Sequence, residues 1–237
     1  MEFIKSINDL QVHAHYSDEM VKTVYIPLLR HLTKLHEEKN GRVLVLLAAP
    51  PGSGKTTFSL FLQHLSEQVP DVTPLVSLGM DGFHHYMSYL KSHTTVRDGE
   101  TIPLAKIKGA PPTYDLEKMT DKIRRIANGE NCTWPLYSRK THDPIEDAVT
   151  VDAPIVLVEG NYLLLDEPGW RELREYADYT IQISPDESVL KERLIERKAA
   201  SGMPIEDVIR HVEYSDVPNV KLCLEKSIPA DLIIDNL

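Results

Sequence analysis

The stretch RVLVLLAAPPGSGKTTFSLF, residues 42–61, constrains this chain more than any other. It reads as a continuously apolar strand, a tight loop of small residues, a lysine with two threonines, and then a helix. An unbroken apolar run suits a central parallel strand covered on both faces. The loop follows G-x-x-x-x-G-K-[ST], the phosphate-loop pattern, with Ala49 in place of the first glycine. The chemistry survives that exchange provided Ala49 keeps a negative φ. Gly52 and Gly54 let the backbone turn its N–H groups inward, and the helix start adds positive potential. Lys55 is a point charge able to reach the β- and γ-phosphates, and the Thr56 hydroxyl suits Mg²⁺. The expected ATP contacts are therefore Pro51, Gly52, Ser53, Gly54, Lys55, Thr56 and Thr57. The bland alternative, a chance Gly/Pro turn, is disfavoured by the buried strand before it and the helix after it.

The rest of the chain reads as strands alternating with helices, which implies a parallel sheet. Residues 18–38 put Val21, Val24, Tyr25, Leu28, Leu29, Leu32 and Leu35 on one helical face. Pro27 should kink or split that helix. It has two docking places open to it, its own domain or a second subunit in a homodimer. TPLVSLGMDG is a second strand ending near Asp81. Residues 82–114 read as loop with short helical pieces, and a segment that long is usually functional. DLEKMTDKIRRIAN is an amphipathic helix, CTWPLYSRKTHDP a short strand and a loop, and APIVLVEGNYLLLD a buried strand ending at Glu159-Gly160. After the strand YTIQIS, Ser184-Pro185-Asp186-Glu187 is a predicted helix start with Ser184 as N-cap. Helices at 204–213 and 217–226 and a last strand, DLIIDN, complete the pattern.

Composition narrows the function classes. The 237 residues carry a formal net charge of -10 with no Lys/Arg run, which argues against a nucleic-acid-handling ATPase. Cys132 and Cys223 match neither a metal spacing nor a disulfide framework and suit a reducing cytosol. The first twenty residues lack a signal-peptide core, and no apolar run approaches a membrane span. A cytoplasmic protein with no membrane partner is the expectation.

Three further groups point to phosphoryl transfer. Asp81 stands just past a strand end, where ligands gather in open parallel sheets. A carboxylate there can take the proton of an attacking hydroxyl or hold it in line; a plain Asp-Gly turn is the competing reading. Glu159, delivered by the apolar run IVLV, can hold Mg²⁺ or its water shell. Arg193 and Arg197, four apart on one helix face, can close over a triphosphate. With Glu192 and Glu196 interleaved, a solvated charged face competes there.

PPGSGKTT, MDGFH, KGAPPTYD, YSRKTHDP and VEGNYLLLD occur in that order. Together they resemble the phosphoribulokinase, uridine kinase and pantothenate kinase family, in its small bacterial branch loosely labelled fructose-transport-associated. The resemblance implies an α/β P-loop fold of three α/β/α layers, with a five-stranded parallel sheet and a helical lid. It implies ATP and Mg²⁺, with phosphate passed to a hydroxyl of a small metabolite. The family's catalytic acid falls on Asp81, working with Lys55. Its Walker-B acid falls on Glu159, beside Thr56 as metal ligand. Its lid arginines fall on Arg193, placed in catalysis, and Arg197, placed on ATP. Acceptor contacts are expected from Asp81, His84, Lys108, Tyr114, Tyr137, Arg139 and His142. The implied division is an N-terminal amphipathic helical extension, 1–40, and a kinase domain, 41–237. The domain holds an acceptor-binding insert at about 82–148 and a lid at about 190–215.

The acceptor loop departs from the relatives. Tyr137 and His142 keep a uridine-kinase spacing, but clear aromatic partners for a pyrimidine are missing. Tyr137-Ser138-Arg139 puts an arginine where pantothenate kinases carry histidine. A bidentate guanidinium suits a carboxylate or a phosphate, and Lys108 adds to the same field. An acidic or phosphorylated sugar is therefore an expected acceptor beside pantothenate and uridine or cytidine. An ATP-binding regulatory protein without transfer is the alternative from another class, though it would have no use for Asp81 or the acceptor loop.

Overall fold

The structure is a computed structural model, and it describes residues 1–7, 10–200 and 202–235. The first element is a hairpin, not a helix. β1 (Glu2–Ile7) pairs antiparallel with β2 (Leu10–His15). The helical part of the expected extension begins only at α1 (Asp18–Met20), where the Ser17 hydroxyl accepts from the Met20 N–H at 3.1 Å. Phe3 and Tyr16 explain the hairpin: both are buried against Phe61, and the Tyr16 and Phe61 rings stack at 4.0 Å. That tertiary contact decides the conformation of a segment whose local pattern is weak.

The helix continues through a π turn, Val21–Tyr25, into α2 (Ile26–Lys39), which stops at Asn40 in the left-handed region. Pro27 stands in the first turn of α2. The π turn shifts the hydrogen-bond ladder just where proline lacks its donor, so the helix proceeds without a break. The same device recurs near the C-terminus. The π turn Val212–Asp216 precedes a helix whose first turn holds Pro218. Leu28, Leu29 and Leu32 of α2 pack on the chain's own sheet, which settles where this helix docks.

β3 (Val43–Ala48) leads through the phosphate loop into α3 (Lys55–Gln68), then β4 (Leu75–Gly79) and a 3-10 turn, Met80–Phe83. The segment read as loop carries α4 (Met87–Ser92) and the hairpin β5 (Thr94–Arg97) and β6 (Glu100–Pro103). Its turn is Asp98-Gly99, both at positive φ, the two-residue hairpin turn. Next come α5 (Leu116–Ala127) and a second hairpin, β7 (Cys132–Ser138) with β8 (Asp143–Val151), where the sequence suggested a strand and a loop. β9 (Ile155–Gly160), β10 (Tyr179–Ile183), α6 (Glu187–Ala199), α7 (Ile205–His211), α8 (Val217–Glu225) and β11 (Leu232–Ile234) follow. Ser184 does not cap α6. Its N–H donates to the Ile234 carbonyl at 3.0 Å, so it still belongs to the sheet, and the helix begins after Asp186.

Five parallel strands form the central sheet in the order β11-β10-β3-β9-β4. Because side chains alternate along a strand, the uniformly apolar β3 feeds both layers. Val43, Val45 and Leu47 enter the core under α2 and α3; Leu44, Leu46 and Ala48 enter the opposite core with Met119, Ile123 and Trp134. Among the described residues no helix is long and apolar enough to cross a membrane.

Candidate active site

The site is built where β3, β4 and β9 end together. In the ladder Leu47 lies beside Glu159, and Glu159 beside Gly79. The phosphate loop turns back over this edge with Gly52 at φ 83° and Gly54 at φ 84°. A Cβ on Gly52 would also lie 3.1 Å from Leu194 and 3.2 Å from the Leu190 carbonyl, so α6 rests directly on the loop. Ala49 is not among the residues with positive φ, and its N–H donates to the Gly160 carbonyl at 3.1 Å. The replaced glycine was dispensable at that position.

Two carboxylates face this edge in different environments. Glu159 is 6% exposed and accepts a hydrogen bond from the Thr56 hydroxyl at 2.8 Å. Burial raises its carboxyl above the ordinary value; Asp81 adds to the rise, while Lys55 and the Thr56 bond oppose it. Asp81, in the turn after β4, is open to the cleft. The protein mass around it disfavours ionisation, yet His84, Lys55, the Tyr114 hydrogen bond and Arg139 outweigh that and lower its pKa. His84 contributes only while protonated, and burial lowers its own pKa. At neutral pH the standing cations near Asp81 are Lys55 and Arg139. The surroundings thus push the two carboxyl pKa values apart, and Asp81 is the more readily ionised of the two.

The turn holding Asp81 is fixed from three sides. The Tyr114 hydroxyl donates to Asp81 Oδ1 at 3.2 Å. His84 Nδ1 lies 2.9 Å from the Asp81 carbonyl, and the His84 ring packs 4.0 Å from Tyr114. A carbonyl only accepts, so the proton sits on Nδ1 and Nε2 of the neutral ring is an acceptor. A Cβ on Gly82 would stand 2.2 Å from the Pro135 carbonyl, so β7 can lie across the turn only because residue 82 is glycine. Trp134 completes the clamp by donating Nε1–H to the Gly79 carbonyl at 2.9 Å.

A cleft of about 260 Å³ opens beside these groups, lined by Thr56, Ser77, Asp81, Tyr137, Arg139 and Glu159 among others. That is room for a small metabolite. Lys108 stands behind it, with Nζ 4.9 Å from the Tyr137 ring centre and donating to the His142 carbonyl at 2.6 Å. The His142 side chain is exposed and is not among the cleft-lining residues; its contribution here is a backbone carbonyl at φ 58°. A second hollow joins Gly52, Ser53, Gly54 and Thr57 to Arg193 of α6, to residues 12–15 of β2 and to Tyr16 just after it. Arg197, one turn further along, is exposed and is not among its lining residues.

Sequence reasoning missed the N-terminal contribution. Lys5 of β1 lines the acceptor cleft, and β2 borders the phosphate loop. The signal was present as two short alternating runs, FIKSI and LQVHAH, on either side of Asn8-Asp9. Asn8 and Asp9 themselves lie outside the described residues.

The donor set fits Mg²⁺. Thr56 and Glu159 offer adjacent hard oxygens. Among the described residues no group of three or more His, Cys, Asp or Glu could hold a metal. One carboxylate with a hydroxyl, completed by phosphate oxygens, is how Mg²⁺ is commonly held.

The family model for the phosphoribulokinase / uridine kinase family matches residues 44–237. The chain belongs to that family. It is 41% identical to uncharacterized protein YggC of Escherichia coli K12, over 99% of this chain and 95% of that protein. It is 28% identical to a pantothenate kinase of Lactococcus lactis IL1403, over 83% of this chain and 66% of that protein. A crystal structure of a "putative fructose transport system kinase" from Silicibacter sp. TM1040 superposes with TM-score 0.75 at 31% identity. It covers 87% of this chain and 98% of that one. The family is one of P-loop kinases, and the five-stranded parallel sheet with its flanking helices is an α/β fold of that kind.

Proposed function

We propose that this protein transfers the γ-phosphate of ATP to a hydroxyl of a small metabolite. One observation carries the reading: Asp81, kept ionised, shares a cleft with the Thr56–Glu159 pair at the mouth of the phosphate loop. Asp81 accepts the proton of the attacking hydroxyl or aligns it, and Tyr114 holds the carboxylate in one orientation. The loop N–H groups and Lys55 cradle the phosphates. Thr56 and Glu159 would hold Mg²⁺, which when bound would offset charge on the phosphate oxygens. Arg193 reaches the phosphate side from α6. Arg197 would join it only after a movement of α6.

Acceptors that fit are a sugar, a sugar acid, a sugar phosphate or a nucleoside-like molecule; the alternatives are pantothenate, acted on by a named relative, and uridine, named in the family's description, or cytidine. The cytosol is the proposed compartment, consistent with two buried free thiols. A homodimer is proposed, with no nucleic acid and no membrane partner. The test is coupled ADP release with ATP, Mg²⁺ and a panel of nucleosides, pantothenate, glycerate, free sugars and sugar phosphates. Acceptor-dependent release with one class supports the reading. Tight ATP binding without release on any acceptor favours an ATP-binding regulatory protein.

A further inference from the structure

The N-terminal hairpin precedes the family match, which begins at residue 44, yet it reaches the site twice. β2 borders the phosphate loop, and Lys5 of β1 lines the acceptor cleft with Asp81, Glu159 and Arg139. The hairpin is firmly seated there. Phe3 and Tyr16 pack on Phe61 of α3, the helix that begins with Lys55.

The charges of the cleft can be followed through a reaction of the kind proposed above, on which this inference rests. Glu159 belongs to the metal side with Thr56, and Lys55 to the phosphates. Asp81 serves the acceptor hydroxyl. Lys5 and Arg139 are then left over. Among the described residues neither side chain has a hydrogen bond or a salt bridge to the protein, although Arg139 lies in the field of Asp81. They come from separate elements, β1 and the turn after β7, so no single surface ladder explains their convergence.

We propose that Lys5 and Arg139 form an anion subsite, so that the acceptor carries a phosphate or carboxylate besides the hydroxyl that reacts. Arg139 supplies a planar fork suited to either group, and Lys5 supplies a point charge. With a neutral acceptor Arg139 would have only the field of Asp81, which the reacting hydroxyl engages, and the half-buried Lys5 ammonium would have no carboxylate partner among the described residues. A nucleoside would want its base sandwiched, and Tyr137 is the single aromatic ring among the described lining residues. The hairpin is thereby a specificity element added in front of the family domain.

The test uses the full chain with ATP and Mg²⁺ and three matched acceptors: a ketohexose, its monophosphate, and a sugar acid of equal carbon number. The phosphorylated or the acidic member is expected to turn over in preference to the free sugar, and which of the two does so identifies the anion. Lys5→Gln should raise KM for that acceptor about 10- to 100-fold while KM for ATP holds. Lys5→Arg should restore most of the loss, which a merely structural lysine would not require. Preference for the free sugar, or an unchanged acceptor KM in Lys5→Gln, overturns the subsite. Absence of turnover with every acceptor, ATP binding intact, counts against the kinase reading instead. Calorimetry with the same three ligands then decides the subsite alone. Binding of an anionic member that is lost in Lys5→Gln supports it, and equal or absent binding overturns it.

Discussion

The Tyr114 hydroxyl donates to Asp81 Oδ1 across 3.2 Å, from a ring that is itself 4% exposed. Burial, with Asp81 beside it, raises the Tyr114 pKa well above its ordinary value, so the phenol remains a donor at any working pH. Tyr114→Phe removes this one bond and little volume. The expected result is a fall in kcat of about tenfold, the worth of one hydrogen bond to a charged group, with KM for ATP unchanged. Steady-state kinetics on both substrates check it. An unchanged kcat would mean that Asp81 needs no external positioning.

The pH profile follows from the direction of the Asp81 shift. Its folded pKa lies below the ordinary carboxylate value, so the base is present at higher pH and is lost only as pH falls through that lowered value. Turnover per active enzyme should therefore show no acid limb from about pH 5 upward. A limb near neutrality, which Asp81 cannot supply, would point to another group, either a different base or Glu159, whose carboxyl is raised by burial. Measuring kcat/KM against pH in a buffer series of constant ionic strength decides it.

Gly82→Ala is expected to cost about 2–3 kcal/mol of stability, in the range of overpacked sites. The added Cβ would meet the Pro135 carbonyl at 2.2 Å, and a backbone group within β7 cannot swing aside. Urea denaturation should show a lowered midpoint. Tyr137 and Arg139 follow on the same strand and turn, so acceptor KM should rise as well. A variant as stable as the parent would show that β7 has more room than the glycine implies.

Tyr16→Ala removes the stack on Phe61 and the edge contact to Tyr25 at 5.9 Å. The expected loss is about 3 kcal/mol, as for other buried aromatic truncations. Because the hairpin joins the core through few residues, the loss should appear first as local opening. Hydrogen exchange across β1 and β2 should quicken while β3 and β9 stay protected. Uniform loss of protection over the whole chain would make the hairpin part of the main cooperative unit.

The phosphate loop, β3, β9 and the two strand-end acids were legible because each is a local pattern in a strongly determined place. Apolar runs of six residues in β3 and four in β9 must be covered on both faces, and their C-terminal ends are where a parallel sheet binds. The three hairpins were not legible for a different reason. β1, β5 and β8 carry exposed and polar residues, and partner contacts rather than periodicity make them strands. The local signs were the Asp98-Gly99 turn and the short alternating runs FIKSI and LQVHAH. Ser184 looked like a cap, yet its N–H was already engaged by β11, about fifty residues on in the chain. Lys5 shows the same limit at the site: its place in the cleft comes from the docking of Phe3 and Tyr16 on α3, which no short window contains.

The central claim is that Asp81 acts on the acceptor hydroxyl and has no part in holding ATP. The most direct measurement is Asp81→Asn beside the wild-type chain, with ATP affinity by calorimetry and acceptor-dependent ADP release on the same preparations. ATP affinity should stay within a factor of about two while turnover falls by ~10²–10⁴-fold, the span of general base catalysis. Turnover close to wild type with ATP binding intact would contradict the claim and remove Asp81 from the chemistry.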